Sequence, residues 1–388
     1  MIKIGITGQS GFIGTHLFNT LGFYPDKFTR IPFEDNYFQS EDKLKTFVKE
    51  CDAIVHLAAM NRHSDPQVIY QTNIGLVTQL ILACEATDSL PHILFSSSTQ
   101  EERDNLYGRS KKEGRELFEK WADKNNAKFT GLIITNVYGP FGNPFYNSVI
   151  ATFCYQLTHN EPPKIEIDGE IKLIYVGELV QHFIDNIIGH PVTQGLNTVL
   201  HSRKIGTSCE TITVQPTAEI KVSALLRKLT SIKENYYEKG IIPNLSNPFD
   251  LNLFNTFLCY IDHATFFPFK LNLNSDQRGS FVEIAKLNCG GQISFSTTVP
   301  GITRGNHFHT RKTERFAVVK GKARIDIRRI GTDKVISFEL EGKQPAFVDM
   351  PIWFTHNITN IGEEDLYTIF WINEHYEAND SNTWFEEV

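Results

Sequence analysis

The stretch from residue 301 to residue 321, GITRGNHFHTRKTERFAVVKG, constrains the fold of this chain more than any other. His307 and His309 are two residues apart, so on a β-strand both imidazoles leave by the same face. Glu314 follows a polar turn and opens an apolar strand, and a hairpin would bring its carboxylate back beside the two histidines. Two imidazoles and one carboxylate suit zinc or a similar divalent ion. The stretch therefore predicts a metal site in a β-domain.

A fourth ligand candidate, His356, lies in the segment PIWFTHNITN. One histidine of this kind can simply pack in a barrel, but four ligand-type residues with this spacing favour a metal centre. The spacing resembles the first motif of the cupin family, and Pro351, His356 and Asn360 resemble the second, although Trp353 and Pro345 stand where that family usually has glycine. The resemblance implies an all-β cupin barrel. The predicted ligands of Zn²⁺ or another divalent metal are His307, His309, Glu314 and His356.

Composition narrows the remaining possibilities. A length of 388 residues suggests two domains, and a net charge of -7 gives no electrostatic reason to expect nucleic acid or an anionic membrane as a partner. No apolar run approaches the roughly 18 residues of a membrane span, and the N-terminus does not resemble a signal peptide. The six cysteines are scattered without a CxxC pair. We therefore expect a cytoplasmic protein with neither nucleic acid nor membrane as a partner.

The N-terminal segment carries a glycine loop between a strand and a helix. The apolar strand IKIGIT runs into GQSGFIG, and apolar residues at helical spacing follow. Such glycines let the backbone approach a pyrophosphate, and the first amides of the helix point at it. Small residues at the end of a later strand, DAIVHLAAM, could also lie against a dinucleotide. The predicted cofactor contacts are Gly8, Gly11, Phe12, Ile13, Gly14 and Ala58.

The choice of dinucleotide depends on the residue at the tip of the second strand. That strand is expected to end near the segment KFTR, at Arg30. An acidic residue at this tip favours NAD, whereas a basic residue favours the 2′-phosphate of NADP. Arg30 therefore favours NADP(H), and an ordinary solvated arginine is the alternative.

A serine-tipped strand and a tyrosine-lysine pair supply candidate catalytic residues. The buried strand HILFSSS ends at Ser98, on the sheet edge where doubly wound proteins bind ligands. Nine residues later, Tyr107 and Lys111 share one face of a helix. The Lys111 ammonium can lower the pKa of the phenol and hold the cofactor ribose, while Tyr107 exchanges a proton with a substrate oxygen. A YxxxK pair is common by chance, but here it follows a glycine loop and a serine-tipped strand.

These segments, with HLAA and NVYGP, resemble the extended short-chain dehydrogenase/reductase (SDR) family, which includes nucleotide-sugar epimerases and dehydratases. The resemblance implies a Rossmann-type doubly wound parallel sheet. It also implies that Ser98 or Ser97 orients the substrate oxygen, that Tyr107 donates the proton and that Lys111 is its partner, which also contacts the cofactor. Two departures are a short Ser-to-Tyr segment and Ile133, which stands where many members carry arginine.

Further substrate contacts are predicted at Asn147, Ser148 and Arg278. The first two lie in FYNSVIATFCYQLT and could contact a nucleotide-sugar diphosphate, or could equally cap a helix. DxRGSF and RGxH resemble the dTDP-4-keto sugar 3,5-epimerases, cupins in which that histidine is the base and no metal is used. His307 therefore has two incompatible implied roles. Arg278 could contact the diphosphate or sugar, or could form a structural salt bridge.

The predicted domain bounds follow from a change in the residue pattern along the chain. A Gly, Pro, Asn and Ser cluster lies near residues 239–249, and short alternating strands begin near residue 270. We predict a reductase domain at 1–243, a connecting helical segment at 244–264 and a cupin domain at 265–388.

The whole chain resembles the bifunctional enzymes that assemble capsular polysaccharide and O-antigen, through YNSVIATFCY, DxRGSF and PGITxGNHxH. The resemblance implies that the cupin epimerises C3 of a UDP-2-acetamido-2,6-dideoxy-4-keto-hexose. It does not name the C3 base if His307 binds the metal, and Lys286 is one candidate. The SDR domain then reduces C4 with NADPH to UDP-2-acetamido-2,6-dideoxy-L-talose, on the way to N-acetyl-L-fucosamine, in a homodimer. The alternatives are a reductase fused to a metal-dependent oxygenase cupin and a non-enzymatic sensor of NADPH and a sugar.

Overall fold

The computed structural model describes residues 1–189, 198–203, 209–277, 279–375, 377 and 382–388, and of residues 198–203 it describes the backbone alone. The predicted substrate contact Arg278 lies outside the described residues. Up to residue 221 the elements are β1 (Ile2–Thr7), α1 (Phe12–Leu21), β2 (Phe28–Ile31), α2 (Glu41–Glu50), β3 (Ala53–His56), α3 (Pro66–Ala86), β4 (His92–Ser98), α4 (Leu106–Asn125), β5 (Phe129–Ile134), β6 (Asn136–Tyr138), α5 (Val149–Thr158), β7 (Glu170–Tyr175), α6 (Val176–Ile188), β8 (Thr198–Arg203), β9 (Cys209–Val214) and β10 (Ala218–Lys221). Short 3₁₀ helices occupy Asp35–Gln39 and Thr99–Glu102.

The remaining elements are mostly short strands. They are α7 (Val222–Ile232), a π-helical turn at Lys233–Tyr237, β11 (Ile241–Ile242), α8 (Pro248–Leu258), α9 (His263–Phe266), β12 (Phe269–Lys270), β13 (Leu273–Asp276), β14 (Gly279–Val282), β15 (Lys286–Leu287), β16 (Gln292–Thr298), β17 (Thr303–Phe308), β18 (Glu314–Lys320), β19 (Lys322–Arg329), β20 (Val335–Glu341), β21 (Ala346–Met350), β22 (Phe354–Asn360), β23 (Leu366–Ile372) and β24 (Trp384–Phe385). In the described part of the chain, no helix has the length and apolar character that crossing a bilayer requires.

The chain forms two compact units. Unit 1 contains Met1–Val149 and Gly169–Lys221, and unit 2 contains Ile150–Asp168 and Val222–Val388. Nearly all of α5 therefore belongs to unit 2 although unit 1 flanks it in sequence, and its Thr158 hydroxyl donates to the Tyr260 carbonyl at 3.0 Å. A compact unit describes packing in the folded state rather than independent folding. The domain bounds at 1–243, 244–264 and 265–388 therefore stay a prediction.

A seven-stranded sheet in the order β2-β1-β3-β4-β5-β9-β8 forms the centre of unit 1. Its strands are parallel except β8, which runs antiparallel to β9. From β1 the chain passes to β2 on one side and then to β3 on the other, so the strand order reverses beside the carboxyl end of β1. Parallel sheets bind ligands at such a reversal. The predicted Rossmann-type doubly wound sheet is confirmed.

Helices cover both faces of this sheet because its central strands are apolar on both sides. One core packs α2, α3 and α4 against residues such as Ile54 and Phe95, and a second packs α1 and α6 against Val55 and Leu94. Successive residues of one strand thus enter opposite cores, as the two-residue period of a strand requires. A three-stranded sheet, β10-β7-β6, completes unit 1.

Two five-stranded sheets dominate unit 2, in the orders β12-β21-β18-β23-β16 and β20-β19-β22-β17-β24. The pairings within both sheets are antiparallel. Buried apolar residues alternate with exposed ones at the start of β19, where Ala323 and Ile325 are fully buried and Arg324 between them is exposed. This is the two-sheet barrel of the cupins, and the predicted order of a Rossmann-type domain followed by a cupin barrel is confirmed.

A buried ion pair lies on β18 beside the predicted metal ligand. Arg315 donates to both carboxylate oxygens of Asp349 at 2.7 and 2.9 Å and to the Gly240 carbonyl at 2.8 Å. The Tyr236 hydroxyl donates to Asp349 at 2.6 Å, and all three side chains are buried. Because Glu314 and Arg315 are consecutive on a strand, they point to opposite faces. The ion pair therefore fastens the segment around residues 236–240 to the face of the sheet opposite Glu314.

Replacing Asp349 with alanine should lower the free energy of unfolding of unit 2 by about 3–5 kcal/mol, because the buried Arg315 charge loses its partner. Denaturant unfolding followed by tryptophan fluorescence measures the loss. The double variant Arg315→Met/Asp349→Leu should recover most of it, since no buried charge remains. Lys320→Ala is the control, because its ion pair with Glu364 is exposed and should contribute less than about 1 kcal/mol. A loss below about 1 kcal/mol in Asp349→Ala would contradict this account.

Candidate active sites

The glycine loop lies at the reversal point of the unit 1 sheet. Gly8 has φ +69°, and a Cβ there would lie 2.9 Å from the Ala58 amide nitrogen. A Cβ on Gly14 would lie 2.3 Å from the Gly8 carbonyl oxygen. Helix α1 begins at Phe12 after Gly11 as N-cap, with no acidic residue in its first turn. Backbone, small residues and a helix N-terminus fit a dinucleotide pyrophosphate, as the sequence predicted.

Arg30 does not reach this loop. Its guanidinium donates to the Phe18 carbonyl at 3.2 Å and lies 4.4 Å from the centre of the Phe18 ring. Arg30 pairs in register with Ile4, four residues before Gly8, so its Cα lies about 13 Å short of the loop along the sheet. The structure therefore does not place Arg30 where a 2′-phosphate would bind, contrary to the expectation from the sequence. Phe33 and Asp35, for which the sequence carried no signal, contact the loop instead.

Tyr107 and Lys111 lie one turn apart at the start of α4. The Asn105 side chain caps this helix by accepting from the Gly108 amide at 2.7 Å. The Lys111 ammonium donates to the Ser96 carbonyl at 2.9 Å and lies 5.9 Å from the centre of the Tyr107 ring. The structure thus brings the two predicted residues together beside the end of β4.

The electrostatics of this pair suit proton transfer to a substrate. Burial raises the pKa of Tyr107 to about 12, and the nearby Tyr146 phenol acts in the same direction. Burial lowers the pKa of Lys111 to about 8, against the opposing effect of the Glu101 carboxylate. At neutral pH the phenol therefore carries its proton, and the buried ammonium is still mostly charged.

The serines at the end of β4 have different surroundings. Ser97 is buried, and its hydroxyl donates to Glu101. Ser98 is half-buried, and its hydroxyl accepts from the amide two residues later at 3.2 Å. These contacts favour Ser98 over Ser97 as the serine that can meet a substrate oxygen.

An ion network that the sequence analysis missed anchors the short segment between Ser98 and Tyr107. Arg115 on α4 donates to Glu101 at 2.8 Å and to Glu119 at 2.7 Å. The Arg115 and Glu101 side chains are only 14% and 7% exposed. A short loop thus keeps a fixed geometry by binding the helix that carries Tyr107.

The predicted substrate contacts Asn147 and Ser148 lie just before α5. The Asn147 side chain donates to the Asn61 carbonyl at 3.0 Å, and Arg62 donates to the Phe145 carbonyl at 2.6 Å. These bonds join the segment around residues 145–147 to the loop after β3, and Ser148 is half-buried beside them. Their contact with a nucleotide-sugar diphosphate stays a prediction.

Four side chains converge in unit 2, as the sequence predicted. His307, His309, Glu314 and His356 each offer a ligand atom, and these atoms lie within 4.8 Å of one another. His307 on β17 pairs directly with His356 on β22, whereas Glu314 comes from the other sheet. One Glu314 carboxylate oxygen lies 2.9 Å from His356 Nε2, 3.4 Å from His309 Nε2 and 3.8 Å from His307 Nε2. A bulge at Asn306, with φ +58°, shifts the register just before His307.

The protonation pattern of this cluster fits a bound cation. His309 Nδ1 lies 2.7 Å from the Asn382 carbonyl, and His356 Nδ1 lies 3.2 Å from the Phe354 carbonyl. A carbonyl only accepts, so Nδ1 is the donor in both contacts, and in the neutral ring that a metal ligand requires each Nε2 would present a lone pair to the cluster. Burial lowers the pKa of His356, which favours its neutral form, and the buried Nε2 of His309 has no hydrogen-bond partner. A divalent ion satisfies these facing lone pairs.

The Glu314 carboxylate is the anionic member of the cluster. Burial alone would raise the pKa of Glu314, but the three surrounding imidazoles hold it well below its usual range. Glu314 is therefore ionised although only 6% of it is exposed. One carboxylate and three imidazoles are a donor set that zinc accepts.

A residue far along the chain orients His309. Besides the carbonyl bond to His309, the Asn382 side-chain oxygen accepts from the amides of Thr310 and Arg311 at 3.1 and 3.0 Å. Its side-chain amide donates to the Thr310 hydroxyl at 2.8 Å. No local spacing pointed to Asn382, because 73 residues separate it from His309.

Trp353 adopts the backbone conformation expected of the glycine that usually occupies this position in the second cupin motif. Its φ is +64°, in the left-handed region that favours glycine. The Trp353 amide donates to the His309 carbonyl at 2.8 Å, and its ring lies 6.1 Å from that of Phe308. The candidate base Lys286 instead lies in an exposed ion pair with Glu283 at 2.7 Å.

Strand β16 carries polar residues on the face that it shares with Glu314. Cross-strand pairing sets Gln292, Ile372 and Glu314 in one row, so their side chains point to the same face. Ile293 and Phe295, on the opposite face, are 61% and 69% exposed. The half-buried residues of this inner polar row are Gln292, Ser294 and Ser296. Their hydroxyl and amide groups can hydrogen-bond a sugar on the same side of the sheet as the cluster.

Comparisons with known proteins agree with both halves of the fold. Residues 4–185 match the NAD dependent epimerase/dehydratase family, and residues 274–384 match the polysaccharide biosynthesis C-terminal domain. The UDP-2-acetamido-2,6-beta-L-arabino-hexul-4-ose reductase of Pseudomonas aeruginosa is 30% identical over 388 residues, covering 99% of this chain and 98% of the relative. The crystal structure of the capsular polysaccharide assembling protein CapF from Staphylococcus aureus is 32% identical, with 100% of both chains covered and a TM-score of 0.62. The chain belongs to the CapF family.

CapF-family membership confirms the resemblance stated from the sequence. The protein is an oxidoreductase of the nucleotide-sugar reductase and epimerase type, joined to a C-terminal domain of polysaccharide biosynthesis, and its cofactor is a nicotinamide dinucleotide. The structure of RMD from Pseudomonas aeruginosa complexed with NADPH is 20% identical, covers 60% of this chain and 83% of its own, and has a TM-score of 0.51. That likeness shows the fold alone.

Proposed function

We propose that the protein acts twice on one UDP-linked 4-keto-6-deoxy amino sugar in capsule or O-antigen biosynthesis. Unit 2 epimerises C3 of a UDP-2-acetamido-2,6-dideoxy-4-keto-hexose. Unit 1 then reduces the C4 ketone to UDP-2-acetamido-2,6-dideoxy-L-talose, on the way to N-acetyl-L-fucosamine. The presence of a Tyr107–Lys111 pair in one unit and a histidine-carboxylate cluster in the other carries this proposal. The activity of the Pseudomonas relative, a hexul-4-ose reductase, supports the substrate class.

In unit 1 the side chains supply a proton and orient the ketone. The Tyr107 phenol, whose pKa is raised to about 12, donates a proton to the C4 oxygen. The buried Lys111 ammonium stabilises the phenolate that results, and the Ser98 hydroxyl holds the ketone oxygen. A bound reduced nicotinamide supplies the hydride. Arg30 gives no structural reason to name that cofactor NADPH.

In unit 2 we propose Zn²⁺ or another divalent ion, held by His307, His309, Glu314 and His356. The C3 proton lies beside a ketone, so its removal gives an enolate and its return to the other face inverts C3. A divalent ion would stabilise the negative charge on the enolate oxygen. The inner polar row on β16 orients the sugar beside it. The buried Nε2 of His309 has no hydrogen-bond partner, and this supports the ligand role because a bound cation would satisfy it.

Asn382→Ala should lower the metal affinity of unit 2 by about 10- to 100-fold, because the Asn382 side chain fixes the backbone whose carbonyl orients His309. Competition with a chelator, followed by metal analysis, measures the change. Asn382→Asp keeps the acceptor for the Thr310 and Arg311 amides and should therefore lose less metal affinity than Asn382→Ala. Equal metal affinity in Asn382→Ala and wild type would contradict this positioning role.

We further propose that the protein is a cytoplasmic homodimer. β16 is an outermost strand of its sheet, and its exposed Ile293 and Phe295 form an apolar patch on the outer face that a second copy would cover. None of the six cysteines forms a disulfide, which agrees with a reducing compartment. Sedimentation analysis of the purified protein measures the dimer directly.

Isotope exchange tests the two proposed activities together. The protein is incubated in D₂O with a UDP-4-keto-6-deoxy amino sugar, with and without reduced dinucleotide. Deuterium entering C3 without cofactor, and a 4-hydroxy product only with it, are the expected results. Absence of C3 exchange together with a requirement for iron and O₂ would favour the oxygenase alternative. Binding without any turnover would favour the sensor.

A further inference from the structure

The segment after β2 is fixed against the glycine loop of unit 1. β2 ends at Ile31, and the Phe33 amide then donates to the Gln9 side-chain oxygen at 3.4 Å. The Ser10 hydroxyl donates to an Asp35 carboxylate oxygen at 3.2 Å. Gln9 and Ser10 belong to the loop that cradles the pyrophosphate. The residues just after β2 therefore lie where the ribose next to that pyrophosphate would bind.

This position carries negative charge. Glu34 lies 20 residues beyond Gly14, the spacing at which dinucleotide-binding folds place the residue that contacts the ribose. Glu34 and Asp35 are both exposed, and the Glu34 carboxylate accepts from the Asn36 side chain at 2.9 Å. Among the described residues, no lysine, arginine or histidine forms an ion pair with either carboxylate.

The two dinucleotides differ in what they present to this position. NADH presents a ribose 2′-hydroxyl, which can donate a hydrogen bond to a carboxylate. NADPH presents a 2′-phosphate with close to two negative charges, which would face two carboxylates without a cation between them. Arg30 cannot supply that cation, since it lies over Phe18.

We propose that unit 1 prefers NADH to NADPH, and that Asp35 and Glu34 set this preference. The inference rests on the proposed function only in requiring that unit 1 binds a nicotinamide dinucleotide. It reverses the expectation that Arg30 raised from the sequence, because the structure puts acids rather than a base beside the loop.

Binding measured without sugar tests the preference separately from turnover. The full-length protein is titrated with NADH and with NADPH, and nicotinamide fluorescence reports the two dissociation constants. We expect NADH to bind at least about 10-fold more tightly at low salt, as repulsion from two nearby charges implies. Added salt should narrow this difference, because both carboxylates are exposed and therefore screened.

Two variants locate the cause. Glu34→Gln/Asp35→Asn removes both charges with little change of shape, and should bring the two dissociation constants within about 3-fold of each other, mainly by tightening NADPH. Arg30→Ala is the matched control and should leave their ratio unchanged.

Equal or tighter binding of NADPH by the wild type would overturn the inference. So would an unchanged ratio in the double variant, or a selective loss of NADPH binding in Arg30→Ala. If the wild type binds neither dinucleotide, the proposed reductase function fails as well. That result differs from a preference for NADPH, which would leave the reductase function intact.

Discussion

Tyr107→Phe should lower the rate of C4 reduction by roughly 10²- to 10⁴-fold, because the variant lacks the phenol that protonates the C4 oxygen. The Phe ring keeps the packing of the tyrosine, so dinucleotide binding should be retained. Oxidation of the reduced nicotinamide, followed by its absorbance, measures the rate. The same preparation should still exchange C3 with D₂O, because the cluster proposed for that step belongs to unit 2.

A second tyrosine provides the control for this prediction. Tyr70 lies on α3, and its hydroxyl donates to Glu113. Tyr70→Phe removes a phenol from the same unit without touching the Tyr107–Lys111 pair, and should leave the reduction rate within about 3-fold of wild type. Equal rates for Tyr107→Phe and wild type would show that another group protonates C4.

The pKa values of the pair also predict how reduction depends on pH. The Tyr107 pKa of about 12 keeps the phenol protonated over the whole accessible range, so the acid itself is not lost. Lys111 has a pKa of about 8, so its ammonium loses charge as the pH rises through that value. The reduction rate should be level below the pKa of Lys111 and fall above it. In Lys111→Met the overall rate should drop, and the fall in rate above the pKa of Lys111 should disappear.

The sequence predicted the parts of the sites that local spacing determines. His307, His309 and Glu314 fall within eight residues, and a hairpin leaves few ways to arrange them. Tyr107 and Lys111 share a helix face for the same reason. In each case the geometry follows from the period of one element, which is readable without the rest of the fold.

The parts that depend on strand ends and distant pairings were not predictable. Arg30 was assigned to the cofactor because β2 was expected to end there, yet the strand continues by one residue and the loop contacts come from Phe33 and Asp35. Asn382 contacts His309 across 73 residues. To predict the inner polar row, the register of β16 against β23 must be known, and alternation of polar and apolar residues alone does not determine it.

Glu314→Gln should lower the metal content of unit 2 and reduce C3 exchange by more than about 100-fold. The substitution keeps the size of the side chain but removes the negative charge that balances a cation at the cluster. Three imidazoles would remain, and backbone carbonyls would still orient two of them, His309 and His356. Metal analysis after dialysis and deuterium incorporation at C3 measure the two effects.

Control variants distinguish a loss of metal binding from a general loss of folded structure. Glu339→Gln changes an exposed glutamate of the same unit and should leave both metal content and exchange unchanged. Reduction of a substrate already epimerised at C3 should proceed normally in Glu314→Gln, since Tyr107 and Lys111 are intact. Full exchange in a Glu314→Gln protein that has lost its metal would make the ion structural rather than catalytic. Full metal content in that variant would mean that the three imidazoles bind the ion without the carboxylate, and that the charge argument for the cluster is wrong.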